Sequence, residues 1–119
     1  MMIVVTGGRY RNRLQLVALA VAYGHELVVH EGKVHGGGAD ELRRWIERAD
    51  LCVVVTDVNS HGAMHIAKQA ARRAARPVLI LRRLGISRLR MLLESLDRSG
   101  QEGTTVMVPL FRTHNHLRR

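Results

Sequence analysis

Short, almost wholly apolar runs alternate with longer stretches of helical period, and this alternation constrains the chain more than any other feature. The runs are Met2-Ile3-Val4-Val5-Thr6, Glu26-Leu27-Val28-Val29-His30, Leu51-Cys52-Val53-Val54-Val55 and Pro77-Val78-Leu79-Ile80-Leu81. They are apolar at consecutive rather than alternate positions, which fits strands covered on both faces. Between the first two, the segment around Leu14, Val17, Leu19 and Val21 reads as a helix closed by Gly24 as its C-terminal cap. A short helix is expected over Ala39–Ala49, with Leu42, Trp45 and Ile46 buried. Ser60 is the expected N-cap of a helix ending near Ala75, and Ser87 that of a last helix reaching about Leu96. Ser99–Gly103 reads as a linker, Thr104–Leu110 as a candidate fifth strand, and Arg112–Arg119 as a mobile tail. The expectation is a single domain over 1–110 and a basic C-terminal tail over 111–119.

Strands alternating with helices imply an α/β fold: a parallel sheet of four or five strands with helices on both faces. The order 2-1-3-4, with a fifth strand at one edge, gives a three-layer Rossmann-like or flavodoxin-like architecture. A length of 119 residues suits one domain, and a 46% apolar fraction is enough for a core. One Cys excludes a disulfide framework and gives secretion no support. No run approaches the roughly 20 apolar residues of a membrane span. With the first strand starting at Ile3, no signal peptide is expected, and the expected location is cytoplasmic.

The net charge of +9 is unevenly spread. Residues 58–93 hold Lys68, Arg72, Arg73, Arg76, Arg82, Arg83, Arg88 and Arg90 and no acid, whereas residues 26–57 are net acidic. Solvated helices usually interleave signs at i, i+4. Here Lys68, Arg72 and Arg76 follow one another at that spacing and would repel, so an anionic partner is expected. A membrane surface fits poorly, because no basic face carries bulky aromatic anchors.

In such a sheet, ligands sit beyond the carboxyl ends of the strands, where the order reverses. The residues delivered there are Gly7, Gly8 and Arg9 from the first strand, His30 and Lys33 from the second, Asp57, Asn59, Ser60 and His61 from the third, and Arg82 and Arg83 from the fourth. Gly7-Gly8 would let backbone amides approach an anion, and Arg9 would grip phosphate. Gly7, Gly8, Arg9, His30, Asp57, Ser60, His61 and Arg82 therefore form the candidate anion or nucleotide crevice. A hydrolase could be built from Asp57, Ser60 and His61, but adjacent residues at a helix start rarely face one another, and Ser60 is more simply a cap. His61 and His65 share metal-ligand spacing without a carboxylate or Cys in register, so no metal or cofactor is expected. Cys52, mid-strand, reads as buried and inert. Trp45 reads as core, and Tyr10 is the better candidate for stacking on a base.

Several of these residues together resemble domain-of-unknown-function family 2325, a bacterial family. They are Gly7-Gly8-Arg9, His30-Glu31-Gly32, Ala49-Asp50, Thr56-Asp57 with Ser60-His61, Lys68, Pro77, and Leu81-Arg82 with Gly85 and Ser87. The resemblance spans roughly residues 2–97 and implies a small Rossmann-like domain with no assigned activity. Glu31 stands where the family pattern commonly has a second His.

The expected function is non-enzymatic nucleic-acid binding, backbone-directed and of low specificity, with DNA ahead of RNA. Arg9, Tyr10, Arg11, Arg13, Lys68, Arg72, Arg73, Arg76, Arg82, Arg83, Arg88 and the tail would supply the contacts. The first and third helices should lie on opposite faces, so one duplex cannot follow both in a monomer. A homodimer is expected, paired through Thr104–Leu110 and Phe111. The alternatives are a sensor for a nucleotide or other phosphorylated small ligand in the crevice, the hydrolase above, and a module for an acidic protein. If His30 or His61 meets phosphate, binding should strengthen as pH falls through about 6.5.

Overall fold

A computed structural model describes residues 1–102, the last four by their backbone alone. The elements, in order, are β1 (Met2–Thr6), α1 (Arg13–Ala22), β2 (Glu26–His30), α2 (Gly38–Arg48), β3 (Leu51–Val55), α3 (His61–Arg73), β4 (Val78–Leu81) and α4 (Ile86–Glu102). The four strands form one parallel sheet in the order β2-β1-β3-β4. The candidate fifth strand and the tail lie outside the described residues.

Successive side chains of a strand point to opposite faces, so each apolar run feeds two cores. Ile3, Val5, Leu51, Val53 and Val55 pack under α1 and α4, whose contributions include Leu16, Leu89, Leu92 and Leu93. Val4, Cys52, Val54 and Val78 pack under α2 and α3. That second layer is tighter in composition: α3 meets it through Ala63, Ala67, Ala70 and Ala71. The order in which strands are added reverses between β1 and β3, because α1 leads out to β2 on one face and α2 returns to β3 on the other.

Local signals are visible at three helix ends, and two of them, Ser60 and Gly24, act as expected. Ser60 Oγ accepts the Ala63 amide at 3.0 Å and caps α3. Asp40 and Glu41 occupy the first turn of α2, beside its positive pole. Gly24 follows α1 at φ +83°, the left-handed conformation that only glycine adopts without strain.

α4 departs from expectation at both ends. It starts at Ile86, and the Gly85 carbonyl accepts the Leu89 amide at 2.9 Å, so Ser87 lies within the first turn rather than capping it. It also runs through Ser99–Glu102, where a linker was expected; no proline interrupts that stretch. A second correction concerns α3. It ends at Arg73, and Ala75 turns the chain at φ +58°, so Lys68, Arg72 and Arg76 do not form one helical stripe. Arg76 instead folds back and donates to the Glu47 carbonyl at 2.8 Å.

Candidate functional site

Three loops meet at the carboxyl edge: residues 7–12 after β1, 31–37 after β2 and 56–60 after β3. Asn59 ties them. Its Nδ2 donates to the Val55 carbonyl at 2.8 Å and the Thr6 carbonyl at 3.2 Å, bridging the ends of β3 and β1. Gly7 passes so close that a Cβ there would meet the Asn59 side chain and sit 2.6 Å from the Val55 carbonyl oxygen. A Cβ on Gly8 would collide with the Tyr10 ring. Both glycines have positive φ, +98° and +92°. They serve close approach between loops, for which a side chain leaves no room.

Their amides are already used. Gly7 donates to the His30 carbonyl at 2.7 Å and Gly8 to the Val58 carbonyl at 2.8 Å. The expected anion cradle of glycine amides is therefore replaced by a loop clasp. Tyr10 belongs to the same clasp. Its hydroxyl donates to the Gly7 carbonyl at 3.1 Å, and burial pushes its pKa up to about 12.

His30 and Ser60 converge on Gly32. The Gly32 amide donates to His30 Nδ1 at 3.1 Å, and Ser60 Oγ donates to the Gly32 carbonyl at 3.0 Å. The other ring nitrogen of His30 lies 3.6 Å from Glu41. Buried to 8% exposure, His30 fixes the β2–α2 loop from inside. Ser60, Asp57 and His61 form no triad: Ser60 is spent on Gly32 and Ala63, and Asp57 on arginines. His61 is exposed at the first residue of α3. Among the described residues, no group of three or more His, Cys, Asp or Glu is placed to hold a metal.

Asp57 sits between two arginines that follow β4. Arg83 Nε is 2.9 Å from one carboxylate oxygen and Arg82 Nε 3.9 Å from the other. Their side chains are 77% and 79% exposed, so most of each guanidinium's donors face solvent. Arg9 and Arg11 are exposed on the β1–α1 loop, and Arg88 is exposed in the first turn of α4. Arg13 instead pairs with Glu31 at 2.7 Å. Through this pair Glu31 joins the first helix to the second loop.

Two cavities flank Val58. One, of about 360 Å³, is walled by Tyr10, Val55, Val58 and Leu84, with Arg9, Asp57 and Arg83 at its rim. The other, of about 420 Å³, lies between residues 31–35 and 58–60. Val58 is 56% exposed and has φ +50°. A β-branched residue in this region is a genuine outlier and marks strain at the point where the strand order reverses. Thr6 Oγ1, at the end of β1, is fully buried without a hydrogen-bond partner.

The fold and these loops rest on segments that residue 96 closes, and residues 2–96 match the family model described as "Uncharacterized protein conserved in bacteria (DUF2325)". The chain belongs to the DUF2325 family. No curated protein and no solved structure matches it. In this DUF2325 domain, the residues expected at the carboxyl edge do gather there. Those expected along α3 do not join them: Arg72 and Arg73 lie in its last turn, at the opposite end of the sheet, where cations complement the helix's negative pole. Val58 was absent from the expected site, and Asn59 was placed at the edge without a role in the crevice. Val58 carries no local signal, because nothing in its identity suggests a left-handed conformation.

Proposed function

We propose that this DUF2325 domain is a non-enzymatic nucleic-acid-binding protein whose contact surface is the carboxyl edge of the sheet. Arg9, Arg11, Arg82, Arg83 and Arg88 take the phosphates. One observation carries the reading: two arginines more than three-quarters exposed share a single carboxylate, Asp57. That carboxylate accepts a hydrogen bond from Arg83, has Arg82 within ion-pair reach, and neutralises only one charge. The donors left over can grip phosphate oxygens in bidentate fashion. With Tyr10 held in the loop clasp and Trp45 beneath Arg48, base stacking adds little. Recognition is then electrostatic and nearly independent of sequence.

The second reading is a phosphorylated small ligand, such as a nucleotide, seated in the 360 Å³ cavity. The apolar wall of Tyr10, Val55 and Leu84 beneath an arginine rim favours it.

Fluorescence anisotropy with labelled single-stranded DNA, duplex DNA and RNA across a salt series tests both. Binding to a polymer, with log affinity falling steeply against log salt, supports the first reading. Failure to bind any polymer, with saturable nucleotide binding that Arg9→Ala abolishes, moves the assignment to the second. No binding of either kind removes both.

A further inference from the structure

We propose that the outer face of α1 is the seat of a second copy of this chain, packed antiparallel across a two-fold axis near Ala18. The inference is independent of the function proposed above. α1 is apolar on both sides. Leu16 and Ala20 face the core, while Leu14, Ala18, Val21 and Ala22 face outward. Leu14 is 83% exposed and Val21 62%. From Leu14 to Gly24 the sequence has no charge at all. A solvent-facing helix of a small domain normally carries charged residues on that side, and an exposed apolar patch marks an interaction site.

The chemistry of the face selects its occupant. Each copy carries +9, so two copies can approach only where no arginines meet, and the length of α1 beyond Arg13 supplies such a surface. An acidic protein or a nucleic acid would seek the arginines instead. The face is also complementary to itself. With the helices antiparallel about Ala18, Leu14 of each copy lies against Ala22 of the other, and Ala18 faces Ala18. Large residues then oppose small ones, and the axes can come close. A parallel pairing sets Leu14 against Leu14 and leaves a gap between the alanines. The antiparallel pairing also brings Arg13 toward the partner's last turn, which has no cation of its own. It sends the two arginine-bearing carboxyl edges to opposite ends of the dimer. A two-fold interface requires this kind of self-matching.

Sedimentation equilibrium of the full chain should give twice the 13.4 kDa chain mass at micromolar concentration. Val21→Arg should raise the dimer dissociation constant about a hundredfold or more, because two unpaired charges would enter an apolar contact. Its melting temperature at the lowest concentration should match that of the wild type, since Val21 is exposed. The pairing itself is read by a short thiol cross-linker, to which the buried native Cys52 is inert. Ala18→Cys should cross-link alone, and Leu14→Cys should cross-link only when mixed with Ala22→Cys. A wild-type monomer overturns the proposal, as does a dimer that survives Val21→Arg. Self-linking of Leu14→Cys overturns the antiparallel geometry.

Discussion

The two ends of α3 share features in the fold and differ in what they can do. Each has a non-glycine residue in the left-handed region, Val58 before the helix and Ala75 after it. Each has arginines nearby. At the far end, one arginine has an internal partner. Arg76 donates to the Glu47 carbonyl and pins α3 to α2, while Arg72 and Arg73 lie exposed in the last turn, at the helix's negative pole. At the near end, Arg82 and Arg83 share Asp57 and keep most of their donors outward. A count of positive charges does not distinguish the two clusters. Their place relative to the loops and cavities of the carboxyl edge does.

The largest break in this comparison comes from reversing charge at each end. At about 0.1 M salt one phosphate contact contributes roughly tenfold in affinity. The double change Arg82→Glu/Arg83→Glu should therefore weaken polyanion binding by about a hundredfold and flatten the salt dependence by about two contacts. The matched change Arg72→Glu/Arg73→Glu should leave anisotropy titrations within about threefold, a loss smaller than one contact. It should instead lower stability by about 0.3–1 kcal/mol per site through the helix dipole.

Next in size is Arg76→Ala, expected to cost about 1–2 kcal/mol in urea unfolding with no effect on binding, since it removes a charged donor from a backbone carbonyl. Comparable but opposite in sign are the glycine substitutions. Ala75→Gly and Val58→Gly should each gain about 1 kcal/mol by relieving a left-handed non-glycine residue. Only Val58→Gly should alter ligand affinity, because Val58 alone stands between two cavities. The smallest effect is alkaline. Tyr10 is protonated in the fold up to about pH 12, against 10.0 when unfolded. Its contribution is complete below pH 10 and is lost as pH rises from 10 through 12. Thermal melts over that range should fall more steeply for the wild type than for Tyr10→Phe.

Much of this molecule is legible before folding. The four apolar runs mark the strands to within a residue, because a strand buried on both faces must be apolar throughout. Ser60 and Gly24 are legible as helix ends, since an N-cap oxygen and a left-handed glycine do local work. The loss of the expected Lys68–Arg72–Arg76 stripe was not legible. It depends on where α3 stops, and Ala75 has no identity that announces a left-handed turn. The roles of Gly7, Gly8 and His30 were placed correctly in space and misjudged in chemistry. Their hydrogen-bonding groups looked available, yet Gly7 is spent on His30 and Gly8 on Val58, and His30 on Gly32.

By itself, then, the sequence determined the element order, the parallel sheet and the gathering of polar residues at its carboxyl edge. Hydrophobic period and cap chemistry are local properties, and local properties survive without a partner. The tertiary structure decided which of those polar groups remain unpaired. It consumed the glycine amides in a clasp between loops and separated the arginines of α3 from those after β4. It also left an uncharged helix face toward solvent. Each of these outcomes depends on which distant segment arrives to satisfy a donor or cover a side chain, and only the packed fold sets that arrival.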